Sequence, residues 1–307
     1  MPGWLAYTLC MIGVIGHASS EFVAKAADTP GAEFSVWRFM IGGACLLILT
    51  QLWPGQRDLI TPLKEKGLQI VVLSCLGMSL GQLIFHWALD FTSVVQVATI
   101  VTAIPIFFVL ADWAVNKTPI TPPKMVSGAG AFIAVILLMT NGAGLGTTSD
   151  DLVGTVMALF CGALGGIYLV FARPYVGEYG PVRMTAYTFA IGFFFLWTVV
   201  GAFWGVWVNP LDLADKSSTQ QLGILTIGFW NTCIAMACWL AGLQAAPDPQ
   251  RGNYLFLFKP VIAAFLAVAF LGDPLSLLQI LAILAIIICV ALEYVWTQRL
   301  AARASPA

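Results

Sequence analysis

Residues Tyr254–Gly272 read YLFLFKPVIAAFLAVAFLG. Lys259 is the one formal charge in this stretch, and Pro260 follows it directly. Between Arg251 and Asp273 the Tyr254 phenol is the only other ionisable side chain. A run this long and this apolar has the composition of a membrane-spanning helix. At the centre of such a helix a lysine costs about 2.5–3.5 kcal/mol on insertion scales. A proline inside a helix removes a hydrogen bond and kinks the chain. Two unfavourable residues therefore stand side by side, and either packing or function has to account for them.

The rest of the chain is built in the same way. It has 307 residues, of which 60% are hydrophobic and 9% charged, with a mean hydropathy of +0.90. Soluble domains carry about 25% charged residues. No soluble core absorbs this much apolar surface, so the chain is an integral membrane protein. Barrel strands would alternate polar and apolar residues; these runs are continuous, which predicts an all-α fold. The net charge of −1 and the lack of a basic cluster argue against a nucleic-acid partner. The seven cysteines lie in apolar runs without CxxC spacing, and they read as core residues rather than a disulfide or metal framework. No HExxH, P-loop or Rossmann fingerprint occurs, so no metal, cofactor or nucleotide is expected. GMSLG (77–81) has the letters of a nucleophile elbow. An elbow needs a strand-to-helix turn, so small-residue helix packing is the better reading, and the chain reads as no enzyme. The start of the chain lacks a basic n-region, so its first apolar segment is expected to be a retained helix.

Turn-rich breaks such as DTPGAE, WPGQRD, NKTPITPPK, GEYGP, APDPQRG and GDPLS divide the chain into ten apolar segments. The expected spans are 3–26, 33–53, 67–89, 94–115, 123–141, 152–175, 182–207, 218–245, 251–271 and 275–298. The side holding both termini then receives Arg57, Lys64, Lys66, Lys117, Lys124, Arg173, Arg183, Arg251, Arg299 and Arg303. The other side receives Lys25 and Lys216, while Arg38 and Lys259 lie within spans. Ten against two places both termini in the cytoplasm. The NKT sequon (116–118) then faces the cytoplasm, out of reach of glycosylation.

An internal repeat underlies the ten segments. Shifted by 155 residues, Pro105 falls on Pro260 and Pro119 on Pro274. Shifted by 150, FMIGG (39–43) meets FAIGF (189–193); shifted by 151, Gly3 meets Gly154 and Cys10 meets Cys161. The order is shared and the offsets differ only as loop lengths would. The expected units are 1–145 and 146–307, joined through a Gly-rich segment into one membrane domain. Five spans per unit is an odd number, so the two units run inverted, as in alternating-access carriers. Chance likeness between apolar helices is the competing reading, and the paired prolines weigh against it.

With FVAK closing the first span, Arg38 in the second, ALDFTSVVQVATIVTAIPIFFVL (88–110) and GLQAAPDPQRGNYLFLFKPVIAAFLAVAFLGDPLSLLQ (242–279), the sequence resembles the drug/metabolite transporter superfamily, EamA type. The resemblance covers nearly the whole chain. Asp273 stands where the family usually has Glu, Thr118 stands at the matching place in the first unit, and GHASSE (16–21) replaces a usual Trp-Gly. Within the superfamily the chain is most similar to bacterial exporters of aromatic and other neutral amino acids. That resemblance implies a multi-pass protein of the bacterial inner membrane. It also implies a central cavity lined by spans 1, 3, 4, 6, 8 and 9.

Those spans carry polar residues at helical spacing. Cys75, Ser79, Gln82, His86 and Asp90 step along one face. His17, Glu21 and Lys25 do the same in the first span, and Asn231 and Trp239 lie eight apart in the eighth. Polar groups inside membranes often serve as interhelical glue, and for any single residue that reading is weighted above substrate contact. The candidate substrate-binding set is His17, Gln82, His86, Trp87, Tyr168, Asn231, Trp239, Asn253, Tyr254 and Lys259. Glu21 and Asp90 are candidates for proton coupling. Arg38 and Glu293 are expected to snorkel or to pair structurally in outer helices.

Lys259 follows Arg251 by eight residues, about 12 Å along a helix, so snorkelling competes with function. The functional reading has its ammonium meet a substrate carboxylate. Pro105 and Pro260 are expected to act as paired kinks for gating. The reading as a whole is a monomeric secondary exporter of small metabolites, foremost neutral amino acids, with substrate and lipid as its partners. Another metabolite or drug, a membrane-embedded enzyme and a channel are the alternatives.

Overall fold

The computed structural model describes residues 2–101, 104–120, 122–139, 149–247, 255–272 and 275–304. Among these residues every regular element is helical. α1 spans Gly3–Ala18 and α2 Ser20–Ala26. α3 is Gly31–Leu52, α4 Thr61–Ala88, α5 Val94–Val101 and α6 Ile104–Asn116. α7 is Pro122–Met139, α8 Ser149–Tyr179, α9 Pro181–Trp204 and α10 Ser218–Ala245. α11 is Lys259–Leu271, entered through a 3₁₀ turn at Leu255–Phe258, and α12 is Leu277–Ala304.

Among the described residues seven segments are long and apolar enough to cross a membrane: α3, α4, α5 with α6, α8, α9, α10 and the Leu277–Thr297 part of α12. The first expected span is broken at Ser19, and the ninth is described as a shorter apolar helix behind a 3₁₀ turn. Large apolar side chains on the outside, among them Phe194, Phe203, Phe265 and Phe270, are more than 60% exposed. In water such a surface would be untenable, whereas lipid is its natural solvent.

Helix ends follow local chemistry. Asp58 accepts the Ile60 and Thr61 N–H groups at 2.9 and 3.1 Å before α4. Hydrogen bonds from the Thr61 hydroxyl and the two amides hold its carboxyl down at about 2. Ser217 and Gln220 exchange side-chain and backbone hydrogen bonds in a capping box before α10. Gly205 stops α9 in the left-handed conformation at φ 70°.

The centre of the bundle is the crossing of α3 with α9 and α10. Phe34, Trp37, Phe39, Phe189, Leu196, Ile224 and Ile227 are buried there. The second span was expected among the outer helices, yet 56% of the apolar stretch of α3 is buried, the largest share of the seven. Small residues explain this. A Cβ on Gly42 would stand 2.6 Å from Thr232 Cγ2, and one on Gly192 would meet Ser79 Oγ and the Phe39 ring. α12, by contrast, is 13% buried in its apolar stretch and lies outermost of the seven.

Three features recur on both sides of this crossing. Phe39 and Phe189, equivalent at the 150-residue offset, stack on each other at 4.3 Å and 24°. α4 and α10 each contain a π-helical stretch, Leu73–Ser79 and Thr226–Ile234. In each, a hydroxyl bonds the carbonyl five residues back: Ser79 to Ser74 at 2.6 Å, Thr232 to Ile227 at 2.8 Å. Gly42 of α3 packs on Thr232, and Gly192 of α9 packs on Ser79.

Candidate substrate site

Lys259 opens α11, and its ammonium sits 2.7 Å from Glu21 Oε1 in α2. The Glu21 side chain is fully buried and that of Lys259 is 12% exposed. The lysine therefore does not snorkel. Glu21 Oε2 accepts a 2.8 Å hydrogen bond from Ser20 Oγ, while Oε1 has no hydrogen-bond donor among the described residues apart from its ion pair. The charged residues stand in the first turns of helical segments, after the break at Ser19 and after the 3₁₀ turn. Broken helices that expose polar groups to a cavity are how membrane carriers build midplane sites.

Pro260 lies in the first turn of α11, not in a helix interior. There its missing N–H removes no intrahelical bond, so the discontinuity is the 3₁₀-to-α change and not a proline kink. Pro105 is the second residue of α6, and Thr102 and Ala103 before it lie outside the described residues.

Aromatic rings wall the pair. Phe256 packs against His17 at 5.6 Å and edge-on to Trp239 at 4.8 Å. The Lys259 ammonium lies 5.9 Å from the Phe85 ring. Cys161 of α8 is buried within electrostatic range of both Glu21 and Lys259.

Arg38 adjoins this centre, in electrostatic reach of Glu21 and His17. It is 7% exposed. Nη1 donates to Gln82 Oε1 at 2.8 Å and to His86 Nε2 at 3.2 Å, and Nε donates to Thr232 Oγ1 at 3.1 Å. A guanidinium only donates, so His86 Nε2 is an acceptor and its proton resides on Nδ1. Nδ1 then donates to Ser35 Oγ at 2.9 Å, and the Ser35 hydroxyl donates to Gly31 O at 2.9 Å. Of the two expectations for Arg38, snorkelling or structural pairing, the structure takes the second: neutral groups from α4 and α10 hold it inside. A depression of about 410 Å³ runs from Lys25, Pro30 and Asp90 down to Phe34 and His86.

The structure thus brings His17, Glu21, Gln82, His86, Trp239 and Lys259 into one region. Asn231 lies beside it as a tie between helices, donating to Gly16 O at 2.5 Å and Ser19 Oγ at 2.8 Å. Trp87 is elsewhere, edge-on to Trp204 at 5.0 Å. Tyr168 packs on Gly77, bonds Thr188 at 3.2 Å, and lines a separate apolar depression with Ile104, Phe108 and Ala172. Asp90 lies past the end of α4 and accepts the Gly31 N–H with both oxygens. Burial raises its carboxyl above the ordinary value, against the opposing pull of that N–H and of Lys25. Asn253 and Tyr254 lie outside the described residues, as does the side chain of Glu293. Arg38, Ser35, Thr232, Phe85 and Phe256 are neighbours that sequence reasoning did not assign to the site. For Arg38 the available signal was a full charge in an apolar run opposite the Gln82–His86 pair.

Among the described residues no cluster of three His, Cys, Asp or Glu side chains is placed to hold a metal. The sequence matches the EamA-like transporter family over residues 4–140 and again over 152–295. The chain belongs to the EamA-like transporter family. Relatives include the uncharacterized transporter YyaM of Bacillus subtilis, 23% identical over 83% of this chain and 81% of the relative. The threonine/homoserine exporter RhtA of Escherichia coli K12 is 24% identical over 94% of this chain and 90% of its own length. A crystal structure 18% identical superposes with a TM-score of 0.65 over 96% of this chain and 98% of that one. This EamA-like protein is therefore a multi-pass membrane transporter of small molecules and not an enzyme.

Proposed function

We propose that this EamA-like transporter exports neutral amino acids across the bacterial inner membrane by alternating access. The observation that carries the reading is the buried Glu21–Lys259 pair beside the aromatic wall of His17, Phe256 and Trp239. Oppositely charged groups next to an apolar wall match a carboxylate, an ammonium and a small side chain. A charged pair at membrane depth is by default a functional feature. The naming of RhtA as a threonine/homoserine exporter supports the same class at low identity.

The ten-span arrangement as two inverted units, 1–145 and 146–307, is part of this proposal. It is supported by the two successive family matches and by the reciprocal Gly42–Thr232 and Gly192–Ser79 contacts. The charge asymmetry of the loops supports cytoplasmic termini. Glu21, at the centre, is better placed than Asp90 for any proton coupling.

The test is counterflow of radiolabelled phenylalanine, threonine and homoserine into proteoliposomes, comparing wild type with Lys259→Met. Saturable uptake of at least one of them by wild type, reduced at least about tenfold in the variant, is expected. Equal rates in wild type and variant would remove Lys259 from the site. No uptake by folded wild type would remove amino acids from the reading.

A further inference from the structure

The ion pair constrains what can enter. Glu21 and Lys259 sit on separate elements, α2 and α11, and each neutralises the other in the protein interior. Removing one member of a buried pair leaves an uncompensated charge, which is strongly unfavourable. A cargo with a carboxylate alone would take Lys259 and strand Glu21. A cargo with an amine alone would strand Lys259. A zwitterion replaces both partners at once and leaves neither Glu21 nor Lys259 without a counterpart. Arg38 lies within electrostatic reach of Glu21, but its guanidinium is held by Gln82, His86 and Thr232, and Lys259 is the cation in ion-pair contact with Glu21 among the described residues. The anchoring is also one-sided. The Ser20 hydroxyl stands 2.8 Å from both Glu21 Oε2 and His17 O and shares its one proton between them, and Oε1 has the ammonium alone among the described residues. Oε1 can therefore change partner while Oε2 stays within reach of the Ser20 hydroxyl.

Building on the amino-acid reading, we infer that the Glu21–Lys259 pair is itself the zwitterion site: the substrate carboxylate takes the Lys259 ammonium, the substrate ammonium takes the Glu21 carboxylate, and the two side chains part to admit it. Glu21 is then the residue that selects for the amino group. In the empty site it stands in for the substrate carboxylate. The side chain of the cargo lies along Phe256, His17 and Trp239.

The experiment measures ligand-induced shifts in Tm of the purified full chain. The probes are L-phenylalanine, 3-phenylpropionate, which lacks the amine, and 2-phenylethylamine, which lacks the carboxylate. A second set is L-threonine, 3-hydroxybutyrate and 1-aminopropan-2-ol. Wild type is expected to respond to the amino acid of at least one set and to neither analogue. Glu21→Gln is expected to need about tenfold more amino acid for the half-maximal shift and to gain a response to the monocarboxylate. Lys259→Met is expected to gain a response to the amine instead. A role confined to packing gives neither gain. Glu21→Asp keeps the wild-type selectivity and checks that the pocket tolerates substitution. Equal responses of wild type to amino acid and monocarboxylate, or an unchanged selectivity in Glu21→Gln, overturn the zwitterion site and leave amino-acid transport standing. No response of wild type to either amino acid, joined to absent counterflow, removes both readings.

Discussion

At the residue scale the buried charges have different duties. Lys259 has one charged partner that can exchange, whereas Arg38 is fastened by three neutral ones. A charged hydrogen bond contributes about 1.5–3 kcal/mol, and losing its acceptor in a buried place forfeits that much. Gln82→Leu removes the 2.8 Å acceptor from Arg38 Nη1. It should lower stability by about 1.5–3 kcal/mol, read from thermal unfolding of the purified protein. Gln82→Glu keeps the acceptor and should retain most of that stability. If Gln82→Leu unfolds at the wild-type temperature, Arg38 is not tied as described. Lys259 could be singled out from sequence because a lone charge in an apolar run is conspicuous. Its partner could not, because Glu21 is remote in sequence and the choice depends on which helix faces meet. The same ignorance placed Arg38 in an outer helix: nothing in the string of letters reported that Gly42 would draw that helix to the centre.

At the element scale, periodicity located the helices but missed their breaks. Ser218–Ala245 coincides with the expected 218–245, and α3 and α9 begin and end within three residues of expectation. The expected stripe of Cys75, Ser79, Gln82 and His86 assumed an unbroken α-helix. The π stretch Leu73–Ser79 alters the register, so Gln82 and His86 reach Arg38 while Ser79 turns to Gly192. The two glycine crossings make unequal predictions. At Gly42 an added methyl meets Thr232 Cγ2 at 2.6 Å, and the Thr232 hydroxyl is already held by Ile227 O and Arg38. Gly42→Ala should cost about 1–3 kcal/mol by overpacking, and Thr232→Ser, which deletes that methyl group, should restore most of it. At Gly192 the added methyl also meets the Phe39 ring at 2.7 Å. Ser79→Ala should therefore fail to rescue Gly192→Ala. Thermal unfolding of the four single and two double variants decides between these outcomes, and rescue at both crossings or at neither would contradict the geometry.

At the scale of the whole molecule the two matched units depend on each other. Each presents a glycine that the other fills, and Phe39 of one stacks on Phe189 of the other. The charged site also joins them, since Glu21 comes from the first and Lys259 from the second. This much was foreshadowed by the paired prolines and the FMIGG–FAIGF match, because packing glycines and helix starts leave marks in sequence. The asymmetry was not. At the offsets of the repeat, Lys259 corresponds to Ile104, Glu21 to Ala172 and His17 to Tyr168, and those three counterparts line an apolar depression together. Of the two sites related by the repeat, each built from both units, one carries the charged pair and the other is apolar. Neither unit alone can satisfy its buried groups: the first would lose the Lys259 partner of Glu21 and the Thr232 acceptor of Arg38, and the second would hold Lys259 without Glu21. A chain split within the Gly-rich stretch, between Leu145 and Gly146, should behave accordingly. Residues 1–145 or 146–307 expressed alone should fail to accumulate in the membrane. Expressed together from separate reading frames, they should accumulate and restore transport of the wild-type substrate. Accumulation of either half alone at the level of the pair would show that the units fold independently. The contacts across the α3–α9 crossing would then be docking contacts and not folding contacts.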